Sequence, residues 1–471
     1  MSKDQDFELS DFLIPEQTTA STTFNEEGLE EEEEQFYKIP RVITYQGNQL
    51  KIVPPDWRLS KLLKLQISTC FGCMVIVGMN DQTVGTLIPT LINYYQVEQT
   101  SISVVFVIQF LGFATSALSN EYFHNRFGRR GVMILSNVVL FLVYFVNSFK
   151  PPFKLFIIIY YFVGLGIGLM DSCMNVWLSS LVDHNELMGF LHGFYGVGAF
   201  IAPPFISYLL KWFDNDFKVY YMILSCITIL SIVICALVFK NETKEKYHYD
   251  ITKDESHEEG ENQHQGGTLG IVLKMPLVWL FASYLFLYIG SEVSIGTWLL
   301  SYLLKIKELD QISASYIVSW FWIGLTLGRV LLGFITRFFK NEYRANLTYG
   351  ILSLMFYIIY TIFTWNVTTS YKHFTLMTNI IVVISGVFIG PLFPTATITL
   401  MKILPSNLHV SSVGIMTSFG GSGSAILPFL IGIITHTMSL DILPILISIL
   451  IFGYVLMWAV IPKISPIDYD F

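Results

Sequence analysis

The sequence predicts an all-α membrane protein whose twelve transmembrane helices form two pseudo-symmetric six-helix bundles. Three observations lead there. Of 471 residues, 53% are hydrophobic and 14% charged, and the mean hydropathy is +0.56, far from the balance of a soluble domain. The apolar residues are gathered into separate runs of about 18 or more, long enough to cross ~30 Å of hydrocarbon as helices and too long for barrel strands. The second half of the chain also repeats the order of landmarks in the first.

The N-terminal tail holds twelve acidic residues before Arg41, among them the unbroken run Glu30 to Glu34. A segment so charged has no core to bury, so residues 1–60 are expected to be a disordered acidic tail. With no basic, apolar leader ahead of Leu62, it does not read as a cleaved signal peptide. The spans expected from the apolar runs are 63–93, 101–122, 131–149, 154–181, 187–210 and 218–239 in the first half. Those in the second half are 271–303, 313–335, 345–364, 375–401, 410–435 and 440–461.

Between the two sets, residues 241–268 are polar, charged and glycine-ended, the composition of a flexible hinge. The expected organisation is therefore a tail (1–60), a six-helix bundle (61–240), the linker (241–268), a second bundle (269–462) and a short tail (463–471). Cys70, Cys73, Cys173, Cys226 and Cys235 all fall inside expected helices, where thiols act as small apolar packing groups. The Cys70–Cys73 spacing lacks a second ligand pair, so neither metal nor redox use follows.

Orientation comes from the basic residues. Arg126, Arg129 and Arg130, then Lys240, Lys244 and Lys246, then Arg337, Lys340 and Arg344 all lie in breaks on one side. The opposite breaks hold lysines such as Lys150, Lys211 and Lys305. The positive-inside rule then expects both termini and the linker in the cytoplasm; the expected location is a plasma membrane or a vacuolar-type membrane.

The repeat is collinear. Asp81, Gly85 and Thr86 match Glu292, Gly296 and Thr297; Gly112 matches Gly324; Gly164 and Gly168 match Gly386 and Gly390; Gly196 and Pro204 match Gly420 and Pro428. A series in order across four helix pairs indicates a duplicated six-helix unit, an arrangement that marks secondary transporters with a site near mid-membrane between the repeats.

The charged residues inside the spans carry the chemistry. A charge at mid-bilayer costs ~2.5–3.5 kcal/mol on insertion scales, so each needs a partner, a wet cavity or a function. Asp81, Asp171, Glu292 and Arg329 are the clear cases. One arginine cannot neutralise three acids, so at least one carboxylate is solvated or protonated, the condition that proton coupling needs. The competing structural reading is a static pair of Arg329 with one acid that merely locks helices.

Asn175 lies one turn from Asp171 on the same face. With Asn80, Gln82 and Gln109 it offers hydrogen bonds, while Trp177 and Trp298, each six residues after an intramembrane acid, offer stacking faces for a hydroxylated ligand. His192 reads first as a structural histidine and second as a proton shuttle. No nucleotide motif, metal cluster or cofactor site is apparent, and the glycine-rich segments sit inside apolar spans where small residues let helices approach.

These residues resemble the major facilitator superfamily, and within it the fucose-permease-like branch that also holds poorly characterised fungal proteins. The resemblance rests on NDQTVGTLIPTL in the first span, GLGIGLMDSCMNVWLSSL in the fourth, LHGFYGVGAFIAPP in the fifth and WFWIGLTLGRVLLG in the eighth. The superfamily signature between the second and third spans stands as EYFHNRFGRR, with Arg126, Gly128, Arg129 and Arg130 in the gating positions. It departs at Glu121, where glycine is usual, and Asn125, where aspartate is usual.

The resemblance implies the major facilitator fold, no enzymatic activity, and proton-coupling and sugar-binding roles for the acids of the first and fourth spans, here Asp81 and Asp171. Combined with the charge pattern, it leads to the expectation of a monomeric secondary transporter in the lipid bilayer that carries a neutral sugar or polyol with a proton, with Asp81, Asp171 and Glu292 in coupling. Arg329 joins the amides and tryptophans in binding. The alternatives are a non-transporting nutrient sensor of the same fold, and an uncoupled, sodium-coupled or organic-cation carrier. Nucleic acid is not an expected partner.

Overall fold

The computed structural model describes residues 41–45, 47–52, 56–250, 270–371, 373–404 and 408–464. The acidic run Glu30–Glu34, linker residues 251–268 and residues 465–471 lie outside the described residues, so of the expected C-terminal tail only 463–464 are described, as the end of a helix. Among the described residues, eleven helical stretches are long and apolar enough to cross a membrane. One of them, Gln99–Asn147, counts twice, because Gly128 adopts φ 66° and ψ 176° inside it and divides it into α2 (99–127) and α3 (129–147). The total is twelve.

The first half is α1 (Lys61–Tyr95), α2, α3, α4 (Phe153–Ser179), α5 (His184–Trp212) and α6 (Lys218–Val238). The second is α7 (Pro276–Lys305), α8 (Gln311–Thr336), α9 (Glu342–Asn366), α10, α11 (His409–Thr437) and α12 (Leu443–Ile464). α10 is in two pieces, Phe374–Ile389 and Leu392–Ile403, interrupted at Gly390–Pro391. Local chemistry sets several helix starts: Ser60 accepts from the Leu63 amide at 3.3 Å, Asp310 from Ser313 at 2.9 Å and Asn341 from Arg344 at 2.9 Å. Pro276 opens α7, where its missing N–H costs nothing. The outer faces carry exposed apolar residues such as Leu142, Leu230, Leu237 and Ile449, as lipid contact requires.

The repeated glycines do the same work in both halves. A side chain on Gly112 would collide with the Tyr161 carbonyl of α4, and one on Gly164 with the Gln109 carbonyl of α2. Their partners behave alike: Gly324 faces the Val383 carbonyl of α10, and Gly386 the Phe321 carbonyl of α8. The α2–α4 and α8–α10 crossings are thus equivalent backbone-to-backbone contacts, which only residues without a Cβ permit.

Two expectations change. Residues 41–52 are not featureless: Arg41–Tyr45 (β1) and Asn48–Ile52 (β2) pair antiparallel, with Arg41 opposite Ile52 and Tyr45 opposite Asn48. Nor is the linker a free hinge from its first residue. Residues 244–250 are helical and dock on the α2–α3 junction, where a Cβ at Gly128 would strike the Lys244 backbone.

The halves meet along the end of the bundle opposite the basic loops, called here the far end. Gln99 Nε2 of α2 donates to Thr435 Oγ1 of α11 at 2.7 Å. Gln311 Nε2 of α8 donates to Ser207 Oγ of α5 at 3.2 Å, and Ser319 Oγ to the Phe200 carbonyl at 2.7 Å. α1 reaches α7 closely enough that a Cβ on Gly85 would lie 2.8 Å from Thr297 Cα.

Candidate functional site

Asp81 lies past the middle of α1 and is half-buried. Its Oδ2 accepts from the Tyr195 hydroxyl of α5 at 3.0 Å, and its Oδ1 from Asn80 Nδ2 at 3.3 Å and Gln109 Nε2 of α2 at 3.5 Å. Asp171 of α4 is also half-buried and accepts from Asn175 Nδ2 at 2.9 Å, the one-turn pairing expected from the spacing. The two aspartates lie within electrostatic range of each other. Among the described residues neither has a cationic partner.

Glu292 differs. It is buried, and its Oε1 accepts from Arg329 Nη2 of α8 at 3.0 Å. The arginine is therefore spent inside the second half, and the static pair weighed from sequence is present for this acid alone. Asp81 and Glu292 lie within electrostatic range of Tyr195, on α5, and so occupy related positions about one central region.

Several of the residues expected to meet a ligand are engaged within the protein in this conformation. Trp177 is buried and packs edge-on against Phe239, ring centroids 5.4 Å apart. Six residues turn a helix through about 600°, which leaves Trp177 about 120° away from the Asp171 face. Trp298, in the same phase relative to Glu292, is fully buried, donates Nε1 to the Pro428 carbonyl at 2.9 Å and packs α7 against α11. Asn80 is buried, accepts from the Tyr144 hydroxyl at 2.9 Å and donates to Asp81 at 3.3 Å. Gln82 is buried too, its Oε1 accepting from Trp322 Nε1 of α8 at 2.9 Å. Gln109, Asn175 and Arg329 remain half-buried.

His192, read first as a structural histidine, is exposed and lies within electrostatic range of Arg329. Tyr195 and Trp322 escaped the sequence reading. A signal for Trp322 existed: it precedes Arg329 by seven residues, almost two full turns, and so shares its face. Tyr195 had only its hydroxyl and its place between small residues of α5 to distinguish it.

At the basic end Arg126 is exposed, whereas Arg129 is buried. Its guanidinium pairs with Glu242 at 3.3 Å and with Asp250, and sits over the Tyr247 ring at 5.6 Å. The Arg130 amide donates to the Glu242 carbonyl at 3.0 Å, and Lys246 closes on the other oxygen of Glu242. The unusual Asn125 is engaged through its backbone carbonyl, 3.2 Å from His248 Nε2. Arg129 and the Arg130 backbone thus hold the start of the linker. Burial keeps the Asp250 carboxyl above its ordinary titration range, against the pull of Arg129. Among the described residues no group of three or more His, Cys, Asp or Glu converges as a metal site.

Comparison with known proteins places this geometry in a family. Residues 70–428 match the Major Facilitator Superfamily. The chain is 38% identical over 436 residues to Bypass of stop codon protein 6 of Saccharomyces cerevisiae, covering 89% of this chain and 87% of that one. It is 24% identical over 363 residues to the Glucose/mannose transporter GlcP of Bacillus subtilis, covering 76% and 84%. Among solved structures, that of a D-xylose-proton symporter aligns with a TM-score of 0.65 at 11% identity, over 86% of this chain and 97% of the other. With twelve helices in two equivalent halves and a family match across both, the chain belongs to the Major Facilitator Superfamily, an integral multi-pass membrane protein of the transporter kind rather than an enzyme.

Proposed function

We propose that the protein is a proton-coupled symporter of a neutral sugar or polyol, working by alternating access with the basic end in the cytoplasm. One observation carries the reading. Asp81 and Asp171 are half-buried intramembrane carboxylates without a cationic partner among the described residues, while Arg329 is neutralised by Glu292. A bare carboxylate inside a membrane protein is costly, and a wet cavity in which it takes up and releases a proton removes that cost.

The three acids against one arginine leave a formal charge of about −2, which attracts protons and cations and disfavours carboxylates, phosphates and nucleotides. Gln109 and Asn175, half-buried beside the two acids, have the chemistry to hydrogen-bond hydroxyl groups. The likeness to a glucose/mannose transporter along three quarters of the chain supports a sugar-type substrate. With the basic end inside, the contacts that close the far end make this conformation inward-facing.

The test is uptake of radiolabelled neutral sugars and polyols into vesicles holding the purified protein, with and without an inward pH gradient. Accumulation of one of them that rises as external pH falls from neutral toward about 5, and collapses with a protonophore, supports the reading. Accumulation that follows sodium and ignores the pH gradient contradicts proton coupling. Transport restricted to a phosphorylated or carboxylate compound contradicts the charge argument.

A further inference from the structure

The Asp81 carboxylate and the seam between the halves are joined by a short chain of contacts. The Tyr195 hydroxyl donates to Asp81 Oδ2 at 3.0 Å, and the Tyr195 ring meets Trp322 edge-on, centroids 6.1 Å apart at 79°. Trp322 Nε1 in turn donates to Gln82 Oε1 at 2.9 Å, and both of these side chains are buried. Gln82 is the residue after Asp81 on α1, Tyr195 is on α5, and Trp322 is on α8 of the other half. The loop of contacts therefore leaves α1, crosses the seam and returns to α1.

The backbone around it leaves no slack. A Cβ on Gly296 of α7 would lie 2.7 Å from the Trp322 ring and 3.2 Å from Gln82 Oε1, and one on Gly196 would strike Thr326, one turn beyond Trp322 on α8. Opening the far end separates α1 from α7 and α5 from α8, so the indole–amide hydrogen bond, which links α1 to α8, must break.

We propose that Gln82, Tyr195 and Trp322 are positioning residues that tie the charge state of Asp81 to closure of the far end. While Asp81 is a carboxylate, its charge-assisted bond holds the Tyr195 hydroxyl, and the ring is fixed against Trp322 in the orientation that serves Gln82. When Asp81 is neutral, that bond falls to an ordinary one and the Trp322–Gln82 link loses its support. The far end then opens more often. The inference rests on Asp81 as the proton site in the reading above.

Ser103 provides a reporter that needs no substrate. It is buried at the far-end seam of α2, against Gly432 of α11. In a Cys226→Ser background, which removes the one exposed native thiol, Ser103→Cys is labelled by a membrane-impermeant maleimide added at the far side of sealed vesicles at fixed pH. Asp81→Asn, Tyr195→Phe and Trp322→Phe should each raise the labelling rate about five- to tenfold, the shift that one net hydrogen bond gives a two-state balance.

The pair Asp81→Asn with Tyr195→Phe should label no faster than either alone, because both act through one link. A general structural weakening would instead make the effects of the two substitutions add. Unchanged labelling in Tyr195→Phe, or additive rates in the pair, overturns the proposal. Failure of proton-driven uptake with the labelling pattern intact would overturn the transport reading and leave the tie itself standing.

Discussion

Replacing Arg329 by methionine removes the charge that neutralises Glu292 while keeping an unbranched, apolar stem in its place. The two side chains are 24% and 7% exposed and 3.0 Å apart. At an effective dielectric constant of about 20, that separation corresponds to roughly 5–6 kcal/mol of attraction, which is set against a desolvation cost of several kcal/mol per ion. The net worth of the pair is small, whereas leaving Glu292 alone costs ~3–5 kcal/mol. Because water reaches a quarter of the arginine side chain, the lower end applies, about 3 kcal/mol.

Glu292→Gln alone should cost less, since the freed guanidinium extends toward the same water. The double variant Glu292→Gln with Arg329→Met should return to within ~1 kcal/mol of the parent, giving a coupling of at least about 2 kcal/mol. Reversible unfolding in mixed micelles, followed by tryptophan fluorescence, measures all four corners of the cycle. An Arg329→Met loss below ~1 kcal/mol, or a double variant as unstable as the single, would refute the pairing argument.

Four further expectations follow from other parts of the molecule. Asp171→Asn keeps the contact with Asn175 but removes the second unpaired acid, so half-saturating substrate concentration or the proton-to-substrate ratio should change while surface abundance holds; unchanged values for both exclude Asp171 from the site. At the basic end, Gly128→Ala places a Cβ at φ 66° against the Lys244 backbone and should release the 244–250 helix, read as faster trypsin cleavage at Lys244 and Lys246. Asp250→Asn should make that cleavage less dependent on pH: the folded carboxyl titrates above its unfolded value, so its contribution to docking is full at low pH and declines as pH rises through the raised value. Glycan attached at Asn366, at the far end of α9, agrees with a cytoplasmic basic end, whereas glycan on Asn241 would reverse the orientation.

The charged residues of the site were legible because a carboxylate or guanidinium inside an apolar run carries a cost that demands an explanation. The glycine pairs were legible because a small residue recurring in register across two halves marks backbone contact, and Gly112–Gly164 and Gly324–Gly386 make equivalent crossings. Aromatic side chains were harder. With 25 Tyr, 38 Phe and 9 Trp, their presence near an acid carries little information, and only helical phase separates Trp177, turned into the core, from Trp322, turned toward Gln82. The docked helix 244–250 was missed for another reason. Its composition is that of a linker, and the partner that orders it, Arg129, lies 121 residues before Asp250 in the chain.

Simultaneous measurement of sugar and proton flux in vesicles, comparing the parent with Asp81→Asn, tests the central role of Asp81 most directly. Asparagine keeps size and hydrogen-bonding capacity but has no proton to exchange. The parent should acidify the lumen in step with sugar entry and accumulate sugar against its gradient. Asp81→Asn, at equal abundance, should lose both accumulation and proton movement while still exchanging internal for external sugar. Full gradient-driven accumulation by Asp81→Asn would contradict the role assigned to this carboxylate.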